Sequence, residues 1–154
     1  MIRPILTNNI NQYKYYICAS AQMPTSERNF CVFDKDEVDY FIKQGEKALP
    51  YLTDILQNSN NEAQVSQTLY TLDRMIDNGT KGIEKLYPAL SRFNYTDSPN
   101  IQSFLAGIYR KIQVPDAFGP LVAMLIRNSI KPHTEQQIFD PNEEIGGAIL
   151  SYIK

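Results

Sequence analysis

The chain has 154 residues, 43% of them hydrophobic and 21% charged, with a formal net charge of −2. That length suits a domain with its own core, since a chain of about 150 residues buries around 70% of its extended surface. The near-neutral balance gives no electrostatic case for nucleic acid or an anionic membrane, and no apolar run approaches the roughly 20 residues of a membrane span.

Residues 1–33 show no sustained hydrophobic period and read as an irregular N-terminal arm. Ala19, Ser20 and Ala21 make a small-x-small pattern that a cleavage site would use. The stretch before it, "TNNINQYKYY", is polar, whereas a secretory signal needs about 7–15 apolar residues there. Cys18 and Cys31 could close a disulfide, but two isolated thiols without a signal are expected to be reduced, in a cytoplasmic protein.

From Asp34 to Lys154 the pattern predicts a helical repeat domain. "DKDEVDYFIKQG" has an acidic first turn and stops at Gly45. A second helix follows over 46–57 and contains Pro50. Asn61 with Gln64 resembles a capping box and opens a helix to about Asn78, with Gly79 as its stop. Thr80 is expected to cap a helix running to about Phe93. Ser98 before Pro99 marks the next start, because proline in the first turn loses no hydrogen bond. Pro115 opens another helix and Pro132 ends it. Asp140, Pro141, Glu143 and Glu144 open the last.

Aligning on the prolines exposes a repeat. Pro50, Pro88 and Pro120 are 38 and 32 residues apart. Around them recur Ala48, Leu52, Ile55; then Leu86, Leu90, Phe93; then Phe118, Val122, Leu125, in steps of four and three. A second helix type carries Val65, Leu69, Leu72 and Ile76, repeated 36 residues later as Ile101, Leu105, Ile108 and Ile112. The last helix offers Ile145, Ile149 and Tyr152. Helical pairs recurring every 30–45 residues or so are the mark of an α-solenoid.

The segments "LPYLTDIL", "YPALSRF" and "GPLVAMLI", each a first helix holding a proline, resemble HEAT-like repeats. The resemblance implies an all-α, short right-handed α-solenoid of antiparallel helix pairs, with Pro88 and Pro120 kinking outer helices. The turn holds Asn61 where that family commonly has Asp, and Val65 is followed by Ser66 where it commonly has Arg. An ordinary helical bundle is the competing reading.

Little in the sequence points to catalysis. The single histidine, His133, lies in a loop-like stretch, and neither cysteine has a neighbour at metal-ligand spacing. No residue set implies a metal or a cofactor. Asp34, Asp36, Glu37 and Asp39 read as helix-start acids, and "DNGTKG" reads as a helix stop.

The positional signal lies on the faces away from the stripes. Arg74 falls about 180° from the stripe of its helix, with Gln67 and Tyr70 nearby. The positions 36 residues on are Ser103, Ala106 and Arg110, and Lys154 continues the series. Gln67, Tyr70, Arg74, Ser103 and Arg110 are thus expected to line a groove that binds protein. Basic residues near helix C-termini also complement the dipole, the simpler account of them.

Residues 34–62 carry seven acids and three bases, and residues 80–132 carry seven bases and three acids. That asymmetry favours an acidic protein partner, or weak self-association between the basic middle and acidic end of two copies. The leading expectation is a non-catalytic interaction or scaffold module. The alternatives are a HEAT-like enzyme or enzyme accessory of the bilin lyase kind, as the resemblance implies, and a self-assembling structural protein.

Overall fold

The computed structural model describes residues 35–130 and 140–153. The expected irregular arm over 1–33, Cys18, Cys31, Pro132, His133 and Lys154 lie outside the described residues. Within the described residues the regular structure is all helical, with no strand. The chain divides into two compact units, the first ending at Ile83 and the second starting at Glu84.

The first unit contains α1 (Lys35–Gln44), a 3₁₀ turn (Gly45–Ala48), α2 (Leu49–Asn58) and α3 (Glu62–Asp77). Both α1 and α2 pack against α3. α1 ends at Gly45, whose φ of +59° suits glycine best. At the start of α3 the Asn61 side chain accepts from the Gln64 amide at 3.0 Å. The reciprocal half of the box runs through a hydroxyl: Ser59 Oγ donates to Gln64 Oε1 and accepts from the Asn61 amide. At the other end Thr80 N bonds Met75 O and Gly79 N bonds Ile76 O, the paired bonds of a Schellman stop.

α3 is covered on two sides. Val65, Leu69 and Leu72 form the expected stripe, at 1%, 0% and 0% exposed. A second buried stripe holds Gln64, Thr68, Thr71 and Met75. The two threonines bury at low cost because each hydroxyl bonds a carbonyl of its own helix: Thr68 Oγ1 to Gln64 O, and Thr71 Oγ1 to Gln67 O, both at 2.8 Å. Their methyl groups are left to face the neighbours.

The second unit contains α4 (Tyr87–Leu90), a 3₁₀ turn (Ser91–Phe93), α5 (Pro99–Ile112), a 3₁₀ turn (Pro115–Ala117), α6 (Phe118–Ser129) and α7 (Pro141–Tyr152). The caps fall where the sequence places them: Ser98 Oγ accepts from Ile101 N at 3.3 Å, and Asp140 Oδ1 from Asn142 N at 2.9 Å. α5 ends at Gln113, held at φ 53°. Its side chain bonds Arg110 O at 2.7 Å and Ser151 Oγ at 2.9 Å, which offsets the strain of that conformation.

α7 packs along α5 and α6. Gln102 and Asn128 join α5 to α6 by a reciprocal amide pair, at 2.7 and 3.2 Å. Gln102 also bonds Thr96 O, and Asn128 bonds Asn142 of α7. Gln102 is 1% exposed, so an apolar replacement would strand its partners. Gln102→Leu should lower stability by about 1–3 kcal/mol. A urea midpoint equal to wild type would show that the pair contributes nothing.

Two sequence expectations need correction. Pro88 and Pro120 do not kink the middle of a continuous helix. Three times a 3₁₀ turn or its equivalent start runs into an α-helix that carries proline in its first turn: Gly45–Ala48 before Pro50, Ile83–Leu86 before Pro88, and Pro115–Ala117 before Pro120. The linking residues share one backbone geometry: Ala48 at φ −81°, ψ −18°; Leu86 at −84°, 0°; Ala117 at −80°, −17°. A first-turn amide has no partner within its α-helix, so proline costs little there. The helix expected over 80–93 is accordingly broken into a 3₁₀ turn, α4 and a second 3₁₀ turn.

The second correction concerns register. Phe118 is 37% exposed, and Val122 and Leu125 are only half-buried. The buried set is Ala117, Leu121 and Met124, each 0% exposed and one residue earlier. It matches Ala48, Leu52 and Ile55, also 0% exposed, in the same steps of four and three. Burial sets the repeat, and the proline shifts by one position within it.

Candidate functional site

The predicted groove residues fall in both units. In the first, Gln67 does not face solvent: it is 4% exposed, and its Nε2 lies 3.4 Å from Oε2 of the buried Glu37 on α1. The second buried stripe of α3 reaches round to that position, which a single apolar stripe does not reveal. Tyr70 is half-buried. Arg74 is exposed and pairs with Asp77 at 3.2 Å, the two side chains being 45% and 37% accessible. A pair that open to water contributes little to stability.

In the second unit Ser103 is half-buried and Ala106 is fully buried. Arg110 is exposed, and its guanidinium lies over α7: a Cβ added to Gly147 would stand 3.0 Å from Nη1. The structure thus sets Tyr70 and Arg74 one turn apart on α3, and Ser103 and Arg110 two turns apart on α5. Gln67 does not belong with them.

A different feature stands out between Phe93 and α5. Tyr95 is 74% exposed, yet the loop that carries it is held at several points. Asn94, 5% exposed, accepts at Oδ1 from the Tyr109 hydroxyl at 2.5 Å. Its carbonyl accepts from Arg127 Nη2 at 3.0 Å. Thr96 O accepts from Gln102 Nε2 at 2.8 Å, and Thr96 Oγ1 accepts from Ser98 N at 3.2 Å. The Arg127 guanidinium sits 5.5 Å from the Tyr95 ring centroid, where the negative ring face attracts a cation. Arg92 lies 5.2 Å over the Phe93 ring.

No family model, curated protein or solved structure matches the chain.

Behind the loop stands a tyrosine core. Tyr109 is 0% exposed, with its ring 5.5 Å from that of Tyr87. The Tyr152 hydroxyl donates to Tyr109 O at 2.6 Å, and the Tyr87 hydroxyl donates to Asp116 O at 3.0 Å. Burial first, then the Tyr87 and Tyr152 rings, push the ionisation of Tyr109 far above the usual tyrosine value. Burial raises that of Tyr152 too, against a lowering from the backbone at Val114. The Tyr109 phenol is thus a neutral donor that fixes Asn94, where the loop begins.

No group of three or more metal-ligating side chains occurs among the described residues. No helix among them is long and apolar enough to cross a membrane. The sequence reading missed Tyr95 because "FNYTDSP" carries only turn and helix-start signals. Periodicity has nothing to say about a loop. The signal available was an aromatic between a turn and a strong N-cap.

Proposed function

We propose that the chain is a non-catalytic protein-interaction module, and that a protein segment bearing acidic side chains docks on the Tyr95 loop of the second unit. The observation that carries this reading is the exposed ring on a pinned loop. A rigid loop loses little conformational entropy on binding. Tyrosine and arginine are also the types whose truncation at interfaces often costs about 2 kcal/mol or more. Arg92 stands near the loop, and bases outnumber acids seven to three over residues 80–132, which supports an acidic partner.

Arg74 and Arg110 are further exposed cations for such a partner, each within its own unit. The HEAT-like kinship and a solenoid stacking of helix pairs belong to the same proposal. The three recurring proline junctions, and the matched buried triplets at the first and third of them, support them.

The loop's hydrogen bonds run through Asn94, Thr96 and Ser98 and leave the Tyr95 side chain out. Tyr95→Ala should therefore keep the thermal midpoint near that of wild type. With the tagged full chain as bait in an extract of its native cells, the same substitution should weaken retention of the recovered partner at least tenfold. Equal retention by wild type and Tyr95→Ala would remove the loop from the binding surface.

A further inference from the structure

Arg127 on α6 is half-buried, and its charge has no counter-charge. Its Nη2 bonds Asn94 O at 3.0 Å, and its guanidinium carbon lies 5.5 Å from the centre of the Tyr95 ring. Nε and Nη1 are shut off from solvent and meet no acceptor among the described residues. No carboxylate pairs with the group among those residues either. A cation taken out of water needs an opposite charge or a full set of acceptors. Buried donors without a partner are rare in folded proteins, and each calls for an explanation.

The side chain over this cation is free to move. The Tyr95 ring is exposed and takes no part in the hydrogen bonds that hold its loop, which run through Asn94, Thr96 and Ser98. Rotation about its side-chain bonds would shift the ring off the guanidinium without breaking any of them. Exposed aromatic rings change rotamer in nanoseconds or less, so such a motion is no obstacle to binding.

We propose that Arg127 is the receptor for one aspartate or glutamate carboxylate of the docking segment, which enters as the Tyr95 ring swings aside. The proposal rests on the Tyr95 reading and names the group that this site takes. The guanidinium is held by its bond to Asn94 O, and Nε and Nη1 are already stripped of water. A carboxylate therefore meets donors whose ordering and desolvation are complete before it arrives. Hydrogen bonds between two ions are also about twice as strong as neutral ones. One guanidinium balances one negative charge, which suits a carboxylate. A phosphoryl group carries about two negative charges at neutral pH and would stay partly unbalanced. The methylene stem of the acid then packs on the displaced ring, so tyrosine and arginine act at one contact.

The Nε–H of an arginine gives its own nitrogen-15 NMR signal, so the receptor can be followed directly in the full chain. The Arg127 signal, assigned by through-bond correlation to its backbone amide, should shift saturably as poly-L-glutamate is added. It should saturate at a probe concentration at least tenfold below that for the exposed Arg74. Sodium phosphate or sodium chloride at equal ionic strength should leave it in place. In Tyr95→Ala the exchange of this proton with water should quicken at least tenfold, because its cover is gone. An Arg127 signal indifferent to poly-L-glutamate, one no more sensitive than that of Arg74, an equal response to phosphate, or unchanged exchange in Tyr95→Ala would each overturn the proposal. Failure here differs from failure of the loop reading. A silent Arg127 signal, with partner retention still lost in Tyr95→Ala, strikes the carboxylate receptor alone, whereas equal retention strikes the loop.

Discussion

Tyr109→Ala is expected to lower the unfolding free energy by about 3–5 kcal/mol, the range for removing a large aromatic from a core. Two losses combine. The ring is 0% exposed and stacks near Tyr87, so its removal leaves a cavity. The hydroxyl also anchors Asn94, itself buried, and with it the start of the Tyr95 loop. Tyr109→Phe separates the two, keeping the ring and costing about 1–3 kcal/mol for the stranded Asn94 acceptor.

The same residue sets an alkaline limit. Its phenol ionises less readily folded than unfolded. Stability from this source is therefore complete below the unfolded value of about 10 and is lost as pH rises above it. The smaller rise at Tyr152 acts in the same direction. Tyr109→Phe should begin less stable at neutral pH and then lose stability less steeply above about pH 10. Denaturation midpoints at a series of pH values would check both the offset and the slope. Parallel curves for the two proteins would show that Tyr109 does not carry the alkaline loss.

Leu69→Ala and Leu105→Ala should each cost about 2–5 kcal/mol, the loss combining transfer free energy with an unfilled cavity. Both residues are 0% exposed and stand at matching points of the stripes of α3 and α5. One reports on each unit. Leu150→Ala, at a position 67% exposed, removes a similar volume from the surface and should stay within about 0.5 kcal/mol of wild type. Chemical denaturation of the three variants would decide. A Leu69→Ala or Leu105→Ala midpoint no lower than that of Leu150→Ala would mean that the stripe is not core.

Much of the helical framework was legible because it is locally encoded. Asn61, Ser98 and Asp140 cap where their side chains can reach a free amide, and Gly79 ends α3 in a conformation that suits glycine. The stripes Val65–Leu72 and Ile101–Ile108 needed only the helical period. What failed was information that lies between elements. Pro120 looks equivalent to Pro50 in sequence, but the neighbours of α6 bury Leu121 and Met124, and a proline in a first turn can move one place without penalty. Thr68 and Thr71 read as polar, yet bonding to their own helix makes them methyl-bearing core residues. That second buried stripe is why Gln67 was misplaced, while Arg74 and Arg110, long and charged, were rightly left in water.

The tyrosine core also decides what light can report. The chain has ten tyrosines and no tryptophan, so its intrinsic fluorescence and near-ultraviolet dichroism come largely from phenol rings. Tyr109 is the fully buried phenol among the described residues, and Tyr87 and Tyr152 adjoin it, whereas Tyr40, Tyr51 and Tyr70 of the first unit are half-buried. Among the described tyrosines the optical signal of tertiary packing is therefore weighted to the second unit. Melting of the first could pass with little change in these spectra while far-ultraviolet dichroism falls. A mismatch between the two traces would reveal that the units unfold separately, without any added label.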